Sequence, residues 1–443
     1  MVLPYFQIKQ RGISSVMASA LNPIDMKELR RVVITGLGAL TPIGNNVSDT
    51  WNALKEGKSG VGPITQFDAT HFKTQFAAEV KGFDPSTFLD RKEVQRLDRY
   101  AQFSVYVAKE AMSDSGLNLE TEDHERIGVI WGSGMGGLHT FEREITDFAK
   151  GDGTPHFNPF FIPKVILSIG AGHISLLFGL KGPSFAVSSA CASSSHAIAQ
   201  AFDMIRIGHA DVLLTGGAES CITPGGVGGF NAMHALSSRN DSPETACRPF
   251  SASRDGFVLG EGAACLVLEE YEHAKARGAK IYAEMVGEGM TSDAYHLTAP
   301  DPEGYGAQHV MKHAIEDAGI ALEDVDYVNT HGTSTPLGDV AELKAIQTLF
   351  GDHAYKMNLD STKSMTGHLL GATGAIEALA TVLALHESIV PPTINHDEED
   401  RDPNIDYGLN LTFGKAQHRD MRYAISNTFG FGGHNACLVF KKY

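Results

Sequence analysis

The chain has 443 residues, 42% of them hydrophobic, which is ample for a large core and would ordinarily be divided into two or three domains. A formal net charge of -17 argues against a nucleic-acid binder, and no apolar run approaches the ~18 residues that a membrane span needs, so neither partner is expected. The five cysteines (Cys191, Cys221, Cys247, Cys265, Cys437), an odd count without a CxxC pair, fit a reducing compartment better than a disulfide framework.

Residues 1–25 carry Lys9, Arg11, several serines and no acid before Asp25. That composition is compatible with a transit peptide to mitochondrion or plastid. The plainer expectation is a non-functional extension on a cytoplasmic protein, with the first strand at residues 31–36. Residues 90–99 predict a helix on which Arg91, Lys92, Arg96 and Arg99 fall within about two turns. By itself this is a solvated face of alternating charge.

Residues 126–131 predict a strand that runs into Gly132-Ser133-Gly134-Met135-Gly136-Gly137. The spacing satisfies GxGxxG, but the acid that a dinucleotide site needs about 20 residues further on is missing, and no nicotinamide site is expected. The run from Ser184 to Val187 then gives way to Ser188-Ser189-Ala190-Cys191-Ala192-Ser193, followed by Ile198, Ala201, Phe202 and Ile205 at helical spacing. This pattern places a thiol on a strand-to-helix corner. There, unpaired backbone NH groups and the helix dipole are expected to favour the nucleophilic thiolate.

Further along, His309 and His313 share a helix face at i, i+4, with no glutamate after His309 and no third ligand in the pattern, so no metal site is expected. Residues 325–329 predict a strand that leads into His331-Gly332-Thr333, and residues 358–360 lead through Thr362-Lys363-Ser364-Met365-Thr366-Gly367 to His368. Ile376, Leu379, Ala380 and Leu383 follow at helical spacing. The strand and turn patterns of the first part therefore recur in the second. One half contributes a cysteine and the other two histidines.

The blocks Ser189-Ala190-Cys191-Ala192-Ser193, His331-Gly332-Thr333-Ser334-Thr335, Lys363-Ser364-Met365-Thr366-Gly367-His368 and Asn427-Thr428-Phe429-Gly430-Phe431-Gly432-Gly433 resemble those of the β-ketoacyl-[acyl carrier protein] synthases. The resemblance spans residues 26–443 and is greatest to the elongating synthase II type, through Leu369-Leu370-Gly371 and Val390-Pro391-Pro392-Thr393-Ile394-Asn395. It implies an α/β, thiolase-like fold: two pseudo-duplicate halves, residues 26–280 and 281–443, in a five-layered α-β-α-β-α core. It also implies a homodimer, and a decarboxylative condensation of malonyl carrier protein with an acyl-enzyme thioester in fatty-acid synthesis. The substrates would ride on the phosphopantetheine arm of acyl carrier protein, with no metal or other cofactor.

Residue by residue, the resemblance makes Cys191 the nucleophile and His331 and His368 the hydrogen-bond donors to the enolate oxygen. Lys363 and Glu377, otherwise a plain ion pair, become supports for the histidines. The backbone NH groups of Cys191 and Phe431 would form an oxyanion hole, with Phe429 and Phe431 as a gate that moves with residues 293–300. Met135 would line the end of the acyl pocket, with Phe161 reaching in from the dimer partner. Arg91, Lys92, Arg96 and Arg99 would dock the acidic carrier. The alternatives are a polyketide ketosynthase and a non-catalytic chain-length or scaffold subunit; the intact Cys191 speaks against the latter. A thiolase would need a second cysteine on a turn, whereas Cys437 lies in an apolar run.

Overall fold

The computed structural model describes residues 29–443, so the expectations for residues 1–25 lie outside the described residues. Ten strands form the main sheet. They are β1 (Val32–Leu40), β2 (Ile127–Gly132), β3 (Ser184–Val187), β4 (Val212–Glu219) and β5 (Gly262–Glu270), then β6 (Ala283–Ser292), β7 (Val325–Asn329), β8 (Asn358–Asp360), β9 (Tyr423–Gly430) and β10 (His434–Lys442).

Their order is β3-β2-β4-β5-β1 and then β6-β10-β9-β7-β8. Adding five to each label of the first set gives the second in mirror order, and the strand senses agree. β1 with β5 and β6 with β10 are antiparallel, as are β4 with β5 and β9 with β10. β2 runs parallel to β3 and β4, as β7 does to β8 and β9. The repeat expected from the sequence is thus present strand by strand.

The halves are joined where Val32, Val33 and Ile34 of β1 pair with Met285, Glu284 and Ala283 of β6. Beyond those pairs the strands part and helices enter. The principal helices are α1 (Arg99–Ser115), α2 (Ser193–Arg206), α3 (Tyr305–Ala318), α4 (Pro336–Phe350) and α5 (Thr373–Glu387). α1 covers β1 and β5 on one outer face, and α3 covers β6 and β10 on the other. α2 and α5 lie between the sheets, in one core cluster with Ile34, Leu266, Ala424 and Leu438. The succession is α-β-α-β-α, the thiolase-like arrangement.

Burial explains which helix takes which layer. In α5 every residue from Thr373 to Leu385 is buried, as a helix that is apolar all round must be. The outer helices press close because the first strand of each half carries Gly-x-Gly. A Cβ on Gly36 or Gly38 would lie 2.3 or 2.0 Å from backbone oxygens of α1, and one on Gly287 or Gly289 would lie 2.6 or 2.3 Å from those of α3.

One predicted element is divided. The helix expected over 90–99 is a short helix Arg91–Arg96, closed by a capping box between Asp90 and Glu93, followed by an extended Leu97 and the start of α1. Asp98 ends the continuity: its side chain accepts from the Tyr100 NH as the N-cap of α1. Arg99 therefore does not share a face with Lys92 and Arg96.

Candidate active site

In an open parallel sheet, side chains converge beyond the carboxyl ends of the strands. Here the carboxyl ends of β2, β3 and β4 face those of β7, β8 and β9 across a cavity of about 790 Å³, lined by Met135, Cys191, His331, His368, Phe429 and Phe431 among others. Cys191 follows β3 and His368 follows β8, so they occupy matching corners of the two halves. His331 follows β7 as Met135 follows β2.

The nucleophile corner is strained. Ala190, immediately before Cys191, has φ 50, a left-handed conformation that costs a non-glycine residue of order 1–3 kcal/mol. The corner is held from several sides. Ser193 Oγ donates to Ala190 O (2.6 Å) and accepts from the Ser189 NH (2.9 Å), Ser189 Oγ lies 2.6 Å from His196 Nδ1, and the Ala375 NH donates to Ser194 Oγ (2.9 Å). The last bond ties the N-terminus of α2 to that of α5, so the two half-sites are fastened at the helix starts behind them.

Cys191 Sγ lies 3.1 Å from His368 Nε2, and His368 Nδ1 lies 2.9 Å from Thr373 Oγ1. The Phe257 ring meets the His368 ring edge-on at 5.2 Å, and the His331 ring meets it at 5.4 Å and 87°. His331 is fixed through its backbone: the NH groups of His331 and Gly332 each donate to Glu342 at 2.8 Å. Its Nδ1 is buried with no partner among the described residues. An N–H placed there by protonation would be unsatisfied.

Burial governs the charges. The thiol of Cys191 is pushed up to about 11, chiefly by desolvation, with the Phe431 backbone NH and Lys363 pulling it down. The expected helix-terminus thiolate is therefore corrected: loss of water outweighs the backbone NH groups, and the resting group is a thiol. Both imidazoles are held well below the ordinary histidine range, first by burial and then by the charge of Lys363. Thiol and imidazoles rest neutral.

Lys363 is buried and pairs with buried Glu377. Around it burial lifts the carboxyls of Glu342 to about 7, Asp360 to about 7 and Glu377 to about 8, against the pull of the ammonium. Sequence reasoning found Lys363 and Glu377 but missed Glu342, Thr373 and Glu219. The available signal was an acid among apolar residues: Glu342 sits between Ala341 and Leu343 in α4, and Glu219 ends the apolar strand β4.

The glycine-rich loop Gly132–Gly137 is no pyrophosphate cradle: the NH groups of Gly134 (2.7 Å) and Met135 (3.1 Å) are taken by the buried carboxylate of Glu219. Phe431 sits at the tip between β9 and β10. The two loops expected to move together are tied, since the Gly432 NH donates to Leu297 O at 2.7 Å and the Asp293 NH to Gly433 O at 3.0 Å. Phe161 lies outside its own chain's pocket lining and stacks on Phe157 at 5.3 Å. Arg99 is committed internally, a two-point pair with buried Glu261 at 3.0 and 2.7 Å, which removes it from the docking set. His309 stacks on Tyr305 at 3.9 Å, with Nδ1 2.8 Å from the Tyr305 carbonyl.

Comparison with known proteins now decides the family. The family model "Beta-ketoacyl synthase, N-terminal domain" matches residues 29–274, and "Beta-ketoacyl synthase, C-terminal domain" matches residues 282–397. The chain belongs to the β-ketoacyl synthase family. It is a condensing, acyl-transferring enzyme. A relative from Coxiella burnetii named 3-oxoacyl-[acyl-carrier-protein] synthase 2 is 51% identical over 417 residues, 94% of this chain and 99% of that protein. A solved β-ketoacyl synthase from Burkholderia phymatum superposes with TM-score 0.86 at 39% identity, over 94% of this chain and 100% of that one. A chain of a type II PKS acyl-carrier protein complexed with its ketosynthase superposes with TM-score 0.84 at 33% identity, again over 94% and 100%.

The buried thiol yields a pH prediction. Only thiolate reacts with iodoacetamide, so below its pKa the rate of Cys191 alkylation rises tenfold per pH unit. With the thiol pushed up to about 11, that rise continues past the ~8.5 at which an ordinary thiol levels off. Mass-spectrometric labelling kinetics against pH check this, and a plateau near neutrality would reveal a preformed thiolate.

Proposed function

We propose that the site carries out the elongating condensation of type II fatty-acid synthesis, extending an acyl thioester by two carbons from malonyl-[acyl carrier protein]. The observation that carries the reading is the convergence of one thiol and two imidazoles in one cavity, with Cys191 Sγ 3.1 Å from His368 Nε2. Fatty-acid elongation is also the chemistry indicated by synthase 2 relatives that match over nearly their full length.

In the first half-reaction, Cys191 sulfur attacks the thioester carbonyl of an acyl chain on a phosphopantetheine arm. The new C–S bond replaces the old one, and the thiol proton ends on the departing pantetheine sulfur. The backbone NH groups of Cys191 and Phe431, which both pull the thiol pKa down, stabilise the tetrahedral oxyanion. In the second half-reaction, malonyl thioester loses carbon dioxide, and the C–C electron pair becomes an enolate whose charge rests on the thioester oxygen. His331 and His368 each donate an Nε2–H to that oxygen, and Thr373 Oγ–H donates to His368 Nδ1 to hold this tautomer. One well-placed donor of this kind is worth ~2.7 to 4 kcal/mol. The enolate carbon then attacks the acyl group and expels Cys191 sulfur as thiolate, which takes up a proton from solvent to restore the resting thiol. Burial and the charge of Lys363, itself held by its pair with Glu377, keep the imidazoles neutral.

Docking of the acidic carrier falls to Arg91, Lys92 and Arg96, next to a second cavity of about 920 Å³ lined by Lys92, Arg96, Arg143 and Lys164. The ketosynthase solved with its acyl-carrier protein supports a carrier partner for this fold. A homodimer completes the reading. β3 is an edge strand, and Phe141, Ile145, Phe148, Phe157, Phe160 and Phe185 are exposed on the surrounding face. Phe161 belongs to that aromatic face, stacked on Phe157, and in the proposed dimer it is the residue that lines the other subunit's acyl pocket. We place the enzyme in the cytoplasm; among the described residues no helix is long and apolar enough to cross a membrane.

Incubation with malonyl carrier protein and an acyl carrier protein series, read by mass spectrometry, tests the function: β-ketoacyl products two carbons longer are expected. Their absence would point to a non-catalytic subunit. In the same assay Met135→Phe is expected to spare short chains and depress long ones, since overpacking typically costs ~1 to 3 kcal/mol. Equal loss at every length would remove Met135 from the pocket end.

Charge reversal at Lys92 and Arg96 is expected to lower turnover of carrier-borne substrate on the order of tenfold at low salt, less at high salt, while sparing small thioester analogues. Turnover insensitive to both changes would make the patch an ordinary solvated face.

A further inference from the structure

Glu219 ends β4 with its side chain fully enclosed. Every atom that approaches its oxygens is a donor. Oε2 accepts from the NH groups of Gly134 (2.7 Å) and Gly371 (3.0 Å); Oε1 accepts from the Met135 NH (3.1 Å), Ser133 Oγ (3.2 Å) and Cys221 Sγ (3.5 Å). Ser133 Oγ in turn accepts from the Gly136 NH at 3.1 Å, so its proton is free for the carboxylate. An ionised carboxylate only accepts, and the three NH groups can only donate to it; burial pushes the Glu219 carboxyl upward, and these donors pull it back down.

Apart from Cys221, the donors come from two loops far apart in sequence and distinct in duty. Ser133, Gly134 and Met135 form the wall placed at the acyl end of the pocket. Gly371 lies in the turn between His368 and Thr373, whose hydroxyl bonds the His368 ring. The loops touch across the carboxylate: a Cβ on Gly371 would lie 2.3 Å from the Gly134 nitrogen and 2.6 Å from Glu219 Oε2, and one on Gly134 would lie 2.8 Å from Oε2.

We propose that Glu219 is a positioning residue that sets chain-length specificity, because its carboxylate holds the Met135 wall and the His368–Thr373 turn in a single arrangement. The inference rests on the reading of Met135 as pocket wall. Its physical content is a double constraint. A wall pushed outward by a long acyl chain pulls on the turn that orients His368, so a chain that does not fit is also a chain that reacts slowly.

Glu219→Gln tests this. The amide keeps the size but turns one acceptor into a donor, which must face either the Met135 NH on one side or the NH groups of Gly134 and Gly371 on the other, so either the Met135 wall or its tie to the turn is disturbed. The ratio of kcat/KM for long over short acyl carrier substrates is expected to change by at least about tenfold, the scale on which small misplacements act. Cys191 alkylation at neutral pH is expected to quicken, because the charge of Glu219 is one of the influences that raise the thiol. A uniform loss across chain lengths with unchanged alkylation would overturn the proposal. Should Glu219→Gln fail to fold, Ser133→Ala removes one donor and leaves the carboxylate; a smaller shift of the same ratio supports the proposal, and an unchanged ratio overturns it. Met135→Phe, assayed alongside, separates the two readings: if it alters the ratio while the Glu219 and Ser133 variants do not, only the coupling fails.

Discussion

Removal of Cys191, His331 and His368 from water is the condition on which the chemistry rests. In bulk solvent an imidazole is partly cationic near neutrality and an enolate is solvated by water. In the cavity, burial and the charge of Lys363 keep both imidazoles neutral, and a hydrogen bond aimed at a developing negative oxygen is worth far more than in water. The same desolvation raises the thiol, so nucleophilicity has to be generated when the acyl thioester arrives. The backbone NH groups of Phe431 and Cys191 pull the thiol back down, against desolvation.

Burying so many polar groups demands partners, and the structure supplies many of them from the backbone and from a compact set of acids, while His331 Nδ1, Asp360 Oδ2 and Glu377 Oε2 stay unpaired among the described residues. Glu342 takes the NH groups of His331 and Gly332, Asp360 takes the Tyr327 hydroxyl (2.7 Å) and Asn329 Nδ2 (3.1 Å), and Glu377 pairs with Lys363. The duplicated fold makes this possible. Each half presents the carboxyl ends of its parallel strands to the other, with the Cys191 turn at one third-strand corner and the His368 turn at the other. Neither half alone forms the cavity, since its lining comes from both.

Much of this was legible in the sequence. Cys191, His331 and His368 stand out because each follows a predicted strand on a turn of small residues, a local pattern. The repeat was legible for the same reason, since strand-turn-helix punctuation survives without sequence identity. Glu219 and Glu342 were not legible as site residues. Their partners are backbone NH groups, which no side-chain motif records, and Glu219 draws on Gly371, 152 residues away. Arg99 misled because its neighbours are cationic, while its partner Glu261 is 162 positions distant. The thiol state was read from the helix terminus alone, which is local, whereas burial is a property of the whole fold.

The central claim is a division of labour: Cys191 carries the acyl group, and His331 with His368 stabilise the enolate. The direct measurement is malonyl-carrier-protein decarboxylation and Cys191 labelling by an acyl donor in Cys191→Ala and His368→Ala proteins. The account predicts that Cys191→Ala forms no acyl-enzyme yet still releases carbon dioxide. It predicts that His368→Ala still labels Cys191 while decarboxylation falls by roughly a hundredfold to a thousandfold, the loss expected for one oxyanion donor. Decarboxylation abolished in Cys191→Ala, or undiminished in His368→Ala, would contradict it.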